Sequence, residues 1–197
     1  MTSDWQTLQA HDLDDAHAAL EEAFRTIERD SFRDDLLGGM ALNAHLNVEI
    51  RGLRRVDDWV VAFVLTPWML AQVFCPLEPP HLPLPDDWRA EARGEAPYVV
   101  IGPPMRFQLG GQPFQAFLNY HPRLGHYLVQ PLVQSMGQYA DNEAAFAAWA
   151  EVLRFRREQY ERMQAEADAR AERAARSELD RVSRRDFLRR WRAGSAD

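Results

Sequence analysis

Trp59-Val60-Val61-Ala62-Phe63-Val64-Leu65 carries no polar side chain. An unbroken apolar run of that length is the pattern of a β-strand covered on both faces. Just upstream the period is two: Leu46, Val48 and Ile50 alternate with Asn47, Glu49 and Arg51, as expected for a strand with one wet face near a sheet edge. Asp57-Asp58 supplies the turn between them. A wet edge strand turning into a doubly covered one predicts an antiparallel sheet with Trp59 to Leu65 at its centre.

Outward from this pair, the pattern predicts helices at both ends. Asp12 can cap a helix whose Leu13, Ala16, Leu20, Ala23, Phe24 and Ile27 recur at three- and four-residue steps and form a buried stripe; Gly38-Gly39 ends that region. Downstream, Pro67 stops the central strand, and Trp68 to Phe74 forms a short apolar segment. Pro76 to Pro85 reads as an ordered, proline-rich surface loop. Tyr98 to Leu109 returns to strand, with a break at Gly102-Pro103-Pro104; Gly110-Gly111 turns it into Phe114 to Tyr120, and Gly125 to Gln130 completes an antiparallel meander. Asp141 caps a second helix, with Phe146, Trp149, Val152, Leu153, Tyr160 and Met163 at helical spacing. The expected architecture is α+β: an antiparallel sheet of four or five strands with an N-terminal helix and a long C-terminal helix packed on it.

Beyond Met163 the apolar stripe shrinks to alanines, a composition that favours helix by propensity and leaves little to bury. We therefore expect residues 1–163 to form the main domain and 164–197 a solvent-exposed helical extension. If helical from Asn142 to Arg181, this part spans about 60 Å at 1.5 Å per residue.

The 197 residues carry a formal charge of -7, unevenly spread. Residues 1–35 hold ten acids against three arginines, whereas residues 176–192 hold seven arginines against Glu178, Asp180 and Asp186. This is a basic arm on an acidic body, without the broad positive field of a DNA-binding protein. A single cysteine, Cys75, excludes an internal disulfide and any thiolate-only metal site within one chain. Met1 to His11 is polar and acidic, unlike a secretory signal, and no apolar run approaches the ~18 residues of a membrane span. The expected location is the cytoplasm, with no stable membrane insertion.

Catalytic patterns are missing. His121 and His126 flank a Pro-Arg-Leu-Gly turn, and Cys75 with His81 brackets the proline-rich loop, but neither spacing is a zinc pattern. Cys75 reads as a small buried hydrophobe with no neighbouring cation to lower its pKa. No phosphate loop, dinucleotide fingerprint or nucleophile elbow occurs. The stretch best suited to recognition is Thr66-Pro67-Trp68-Met69-Leu70, where a proline after a strand is expected to throw apolar anchors onto the rim of the sheet. A second is Ser183-Arg184-Arg185-Asp186-Phe187-Leu188-Arg189, a twin-arginine-like stretch at the wrong end of the chain for an export signal. Its paired guanidiniums beside Phe187 and Leu188 suit recognition rather than bond breaking.

The Trp-containing strand running into Thr66-Pro67-Trp68-Met69-Leu70, the Met105-x-Phe107 strand, the segment Leu128 to Met136 and the closing Arg184-Arg185-x-x-Leu188 together resemble the nickel-iron hydrogenase assembly chaperones of the HybE type, in the same order. The resemblance covers residues 16–190. It implies an accessory protein without a catalytic site or cofactor. Its partners would be hydrogenase precursor subunits: the small subunit with its twin-arginine signal, the large subunit, or both. They would be held in the cytoplasm before twin-arginine-dependent export. Thr66, Pro67, Trp68, Met69 and Leu70 would form the partner surface. Arg184, Arg185, Phe187 and Leu188 would act as a pseudo-signal that the authentic one displaces. The alternatives are a small metal-dependent enzyme using His81, His121 and His126, and a nucleic-acid-binding regulator using the basic tail.

Overall fold

The computed structural model describes residues 4–32 and 42–155, together with 158, 161, 162, 170 and 173. Contacts divide the chain into two compact units, Met1–Ala145 and Phe146–Asp197. In the first unit, helix α1 (Leu13–Ile27) is capped as its sequence suggests: Asp12 Oδ1 accepts from the Asp15 N–H at 2.9 Å. Ala16, Leu20, Ala23, Phe24 and Ile27 form its buried stripe, but Leu13 is exposed. As the first helical residue it lies just past the capping aspartate, ahead of the turns that meet the sheet. A π-helical turn, Glu28–Phe32, follows.

The sheet has six strands, one or two more than expected: β1 (Glu49–Val56), β2 (Trp59–Leu65), β3 (Leu70–Pro76), β4 (Pro104–Leu109), β5 (Gln112–His121) and β6 (Gly125–Val133). The extra strand is β3. The apolar segment after Pro67 is the returning arm of a hairpin in which Leu65 pairs with Leu70. The order is β1-β2-β3-β6-β5-β4, and every neighbouring pair is antiparallel. Two three-stranded meanders are thus joined through β3 and β6. β1 is an edge, as its alternation implied; β2 is interior, while β3 and β6 occupy the middle. Tyr98 to Pro103 is not strand; a 3-10 turn (Asp86–Trp88) and a short helix α2 (Ala90–Gly94) precede it.

Alternation along β2 and β3 divides the apolar side chains between two cores. Val60, Ala62, Val64, Val73 and Cys75 meet Leu20, Phe24 and Ile27 of α1 on one face. Trp59, Val61 and Phe74 meet Met105, Phe107, Leu118 and Leu128 on the other, with Trp5 and Trp88. The second core requires the sheet to curl. Three strands separate β2 from β4, which would place them about 19 Å apart in a flat sheet at ~4.8 Å per strand, yet the rings of Trp59 and Phe107 lie 5.1 Å apart. The turns of the outer hairpins meet as well: Asp57 Oδ2 accepts from the Gly110 N–H at 2.9 Å. The sheet is a rolled half-barrel with α1 on its outer face and an aromatic cluster inside.

In the second unit and its approach, Asp141 caps the chain as expected, its Oδ1 accepting from the Ala144 N–H at 2.8 Å. The described helix, α3, runs over 142–155, shorter than expected. Residues 158, 161, 162, 170 and 173 are also helical, and the rest of the expected continuation to Arg181 lies outside the described residues.

Candidate functional site: a groove between the proline-rich loop and strand β4

The inner face of the rolled sheet is not fully closed. A groove of about 910 Å³ remains, lined by Asp58 and Trp59 at the start of β2, Glu78 to Leu82 of the proline-rich loop, Arg106 to Gln108 of β4, and Pro113 to Gln115 of β5. That volume falls in the range of about 300–1,000 Å³ typical of ligand sites. Phe107 and Trp59 are buried and Phe114 is half-buried. Phe114 lies 5.8 Å from Phe107 and 5.7 Å from Phe74, ring centre to ring centre. Of these rings Phe114 is the one that meets the groove, and the inner core supports it from behind.

Strand β4 adds backbone chemistry. Gly110 and Gly111 take φ values of +55° and +73°, the conformation a two-residue type I′ hairpin needs at both central positions. The closing pair is therefore Leu109 and Gln112, and hydrogen-bonded pairs alternate from there. Pro113, without an N–H, falls opposite Gln108 at a position that needs none. The Leu118 N–H donates to the Pro103 carbonyl at 2.9 Å, in keeping with the same parity. It follows that the N–H and C=O of Arg106 and Gln108 point away from β5, toward the open edge. Among the described residues they make no bond there.

The charges around the groove are exposed. Arg55 reaches Asp58 at only 3.5 Å, with both side chains about 60% exposed, so this pair contributes little. Among the described residues, Glu78 and Arg106 make no ion pair. They are the charges a bound molecule would meet.

The expected recognition stretch lies elsewhere and is covered. Thr66, Pro67, Trp68, Met69 and Leu70 are all buried, which corrects the expectation that they crown an exposed rim. Thr66 holds the turn. Its N–H and hydroxyl donate to the Met69 carbonyl at 2.9 and 3.0 Å, and its hydroxyl accepts from the Met69 N–H at 3.0 Å. The Pro67 carbonyl accepts from the Asn43 N–H, and the Trp68 ring lies 4.5 Å from that of Phe32. Large apolar side chains on a tight turn serve as readily to fill a core as to meet a partner, and sequence alone does not separate the two uses. Arg184, Arg185, Phe187 and Leu188 lie outside the described residues.

The histidines and cysteine are not gathered into a site. His126 is fully buried: Nδ1 accepts from the Gln6 N–H at 2.8 Å and Nε2 donates to the Trp88 carbonyl at 2.9 Å. This fixes the neutral tautomer, and burial lowers its pKa against the raising effect of those backbone bonds. Burial also lowers His121, with Glu22 and Asp30 opposing. It pushes the Cys75 thiol up to about 12, so the thiol is not poised for attack. Among the described residues no group of three or more His, Cys, Asp or Glu side chains is placed to hold a metal ion. None of the described helices is long and apolar enough to cross a membrane.

Sequence reasoning reached the proline-rich loop, as a margin of the expected partner surface, but missed Phe114, Pro113, Arg106 and Gln108 as lining groups. One signal could have found them: the strict alternation of Pro104 to Leu109 before a glycine hairpin marks a strand with one face in a core and its polar residues in solvent.

A curled sheet with an aromatic-lined groove beside an unpaired strand edge has geometry suited to binding another molecule. The NiFe-hydrogenase assembly chaperone HybE family matches the chain over residues 15–190. The chain belongs to that family and is a hydrogenase assembly chaperone. It is similar to the solution structure of HybE from Escherichia coli at 20% identity, with a TM-score of 0.41 and 72% of each chain covered. No curated protein matches it.

Proposed function

We propose that the protein holds precursor subunits of a nickel-iron uptake hydrogenase in the cytoplasm, before twin-arginine-dependent export, and that the groove is where the client is held. It acts by capture and release rather than by a reaction. The observation that carries this reading is the groove between the proline-rich loop and β4, floored by the half-buried Phe114 over the buried rings of Trp59 and Phe107. Aromatic anchors in a preformed depression are where binding energy concentrates. Thr66 to Leu70 enter the proposal as internal support, since their burial keeps them from a client's reach. Arg184, Arg185, Phe187 and Leu188 enter it as a cationic recognition end that competes with a client's signal.

The test is co-purification of the full chain from hydrogenase-expressing cells, beside Phe114→Ala. Recovery of a precursor subunit with the parent chain and several-fold less with the variant is expected; equal recovery by both removes the groove from the reading, and recovery of no precursor removes the client. A chain lacking residues 183–197 tests the tail by titration with a client signal peptide. Tighter binding is expected once the competitor is gone, and unchanged affinity discards the pseudo-signal.

A further inference from the structure

We propose that the groove takes its occupant as an added strand: an extended segment of another protein pairs its backbone with the open edge of β4 and lays alternate apolar side chains over Phe114, which the buried Phe107 backs. This rests on the reading of the groove as the client site and specifies the conformation of what enters it. Three features of β4 define the occupant. Its outward donors and acceptors, on Arg106 and Gln108, stand two residues apart, the spacing at which a partner strand presents its own. The edge has an aromatic floor beside it, so one face of an added strand is buried while the other stays wet. At about 3.4 Å per residue, the six residues of β4 offer a bed about 20 Å long, enough for a strand of ordinary length.

The opposite edge of the same sheet argues that this opening is specific. There β1 is bulged between Arg51 and Arg54 and carries three arginines, devices that discourage strand addition. The Asn142 side chain also accepts from the Asn47 N–H at 3.0 Å and donates to the Asn47 carbonyl at 3.1 Å, covering the backbone just ahead of β1. β4 has one arginine, no bulge in its pairing with β5, and no such cover among the described residues. Charge narrows the occupant further. Of the charged side chains lining the groove, Asp58 and Glu78 are acidic and Arg106 is basic, so the balance favours a segment with a basic residue along its polar side, placed toward Glu78 on the loop wall and away from Arg106. Binding of this kind draws affinity from main-chain bonds and selectivity from alternate side chains.

The experiment uses the full chain and a short synthetic peptide of alternating valine and threonine with one central arginine, followed by amide hydrogen exchange and titration. The expected result is slowed exchange at Arg106 and Gln108. A peptide N-methylated at alternate nitrogens on the pairing edge should bind about tenfold more weakly. Gln108→Pro should weaken binding similarly, since it removes an outward donor and no bond to β5. If that variant does not fold, the N-methylated peptide on the parent chain decides. A glutamate in place of the peptide's arginine should weaken binding several-fold at low salt, an effect that shrinks in Glu78→Gln.

Equal binding of the N-methylated peptide, or unaltered exchange at Arg106 and Gln108, overturns strand addition. If Phe114→Ala still reduces precursor capture, the groove itself survives as the client site. Preference for a helical form of the peptide also overturns it. So does protection of the same amides that rises with protein concentration in the absence of peptide, which would place a second copy of this chain on the edge.

Discussion

Strands β1 and β4 bound the same sheet, and both present a row of outward backbone groups, but the chain finishes them differently. At β1, Arg51 bonds Glu49 at 2.6 Å and Glu143 at 2.7 Å. Asn142 ties Asn47 by both backbone groups and donates to Glu49 at 2.7 Å. Burial raises the Glu49 carboxyl pKa, but Asn142 and Arg51 outweigh it, and the net shift is downward. At β4 the neighbouring feature is an aromatic groove. One edge is covered at its start by polar side chains, whereas the other is left open beside apolar surface. A protein that must avoid pairing with its own kind and still grip a client gains from separating the two behaviours on opposite sides of one sheet.

The largest expected effect comes from removing the ring that joins β4 to the rest of the molecule. Phe107→Ala should lower stability by about 3–5 kcal/mol, because Phe107 is 6% exposed and touches Trp59, Phe74 and Phe114. Urea unfolding measures it, and a loss under 1 kcal/mol would mean that the curl does not depend on this contact. Next is the closed edge. Asn142→Ala removes three hydrogen bonds and should cost about 1–2 kcal/mol, with faster amide exchange at Asn47 while Arg106 and Gln108 stay as they are. Were both edges to respond alike, their independence would be lost.

Smaller still is the hairpin turn. Gly110→Ala forces a side chain into φ +55° and should cost about 1 kcal/mol, loosening the contact to Asp57 rather than the β4–β5 ladder.

Between pH 8 and 5.5 acid should act mainly on β5 and β6, whereas the contribution of the lowered Glu49 carboxyl at β1 is lost only at more acid pH, below its ordinary range. His126 and His121 have lowered pKa values in the folded chain, so the unfolded chain binds their protons first. Stability is therefore undiminished above about pH 6.5 and declines as pH falls from there toward the folded values. In urea unfolding at pH 8 and 5.5, the parent chain should lose more stability than His126→Asn. Equal losses would remove His126 from the account.

Much of the fold was legible because its signals are local. The Asp12 cap, the period-two alternation before the Asp57-Asp58 turn, and the Gly110-Gly111 hairpin each depend on residues within a few positions of one another. β3 carries no strand signal of its own because Leu65 to Phe74 is apolar almost throughout, and hydropathy does not distinguish a strand that turns back from a segment that fills a core. The same ambiguity moved the expected recognition surface. Trp68, Met69 and Leu70 look like anchors in sequence, but they lie under Phe32 and the 42–43 segment in a turn sealed by Thr66. The groove was hidden for the opposite reason: Trp59 and Phe107 are ordinary strand residues until the curl brings their rings together.

By itself the sequence determined the α+β class, the antiparallel character, the capped first helix, the wet edge at β1 and the family, since each is written in short-range periodicity, turn chemistry or motif order. The tertiary structure alone decided that two meanders join through β3 and β6 and that the sheet rolls until β4 reaches β2. It also decided which apolar side chains are sealed and which floor an open groove. Those outcomes depend on contacts between residues far apart in the chain, where packing and curvature select among partners that the local pattern leaves equivalent.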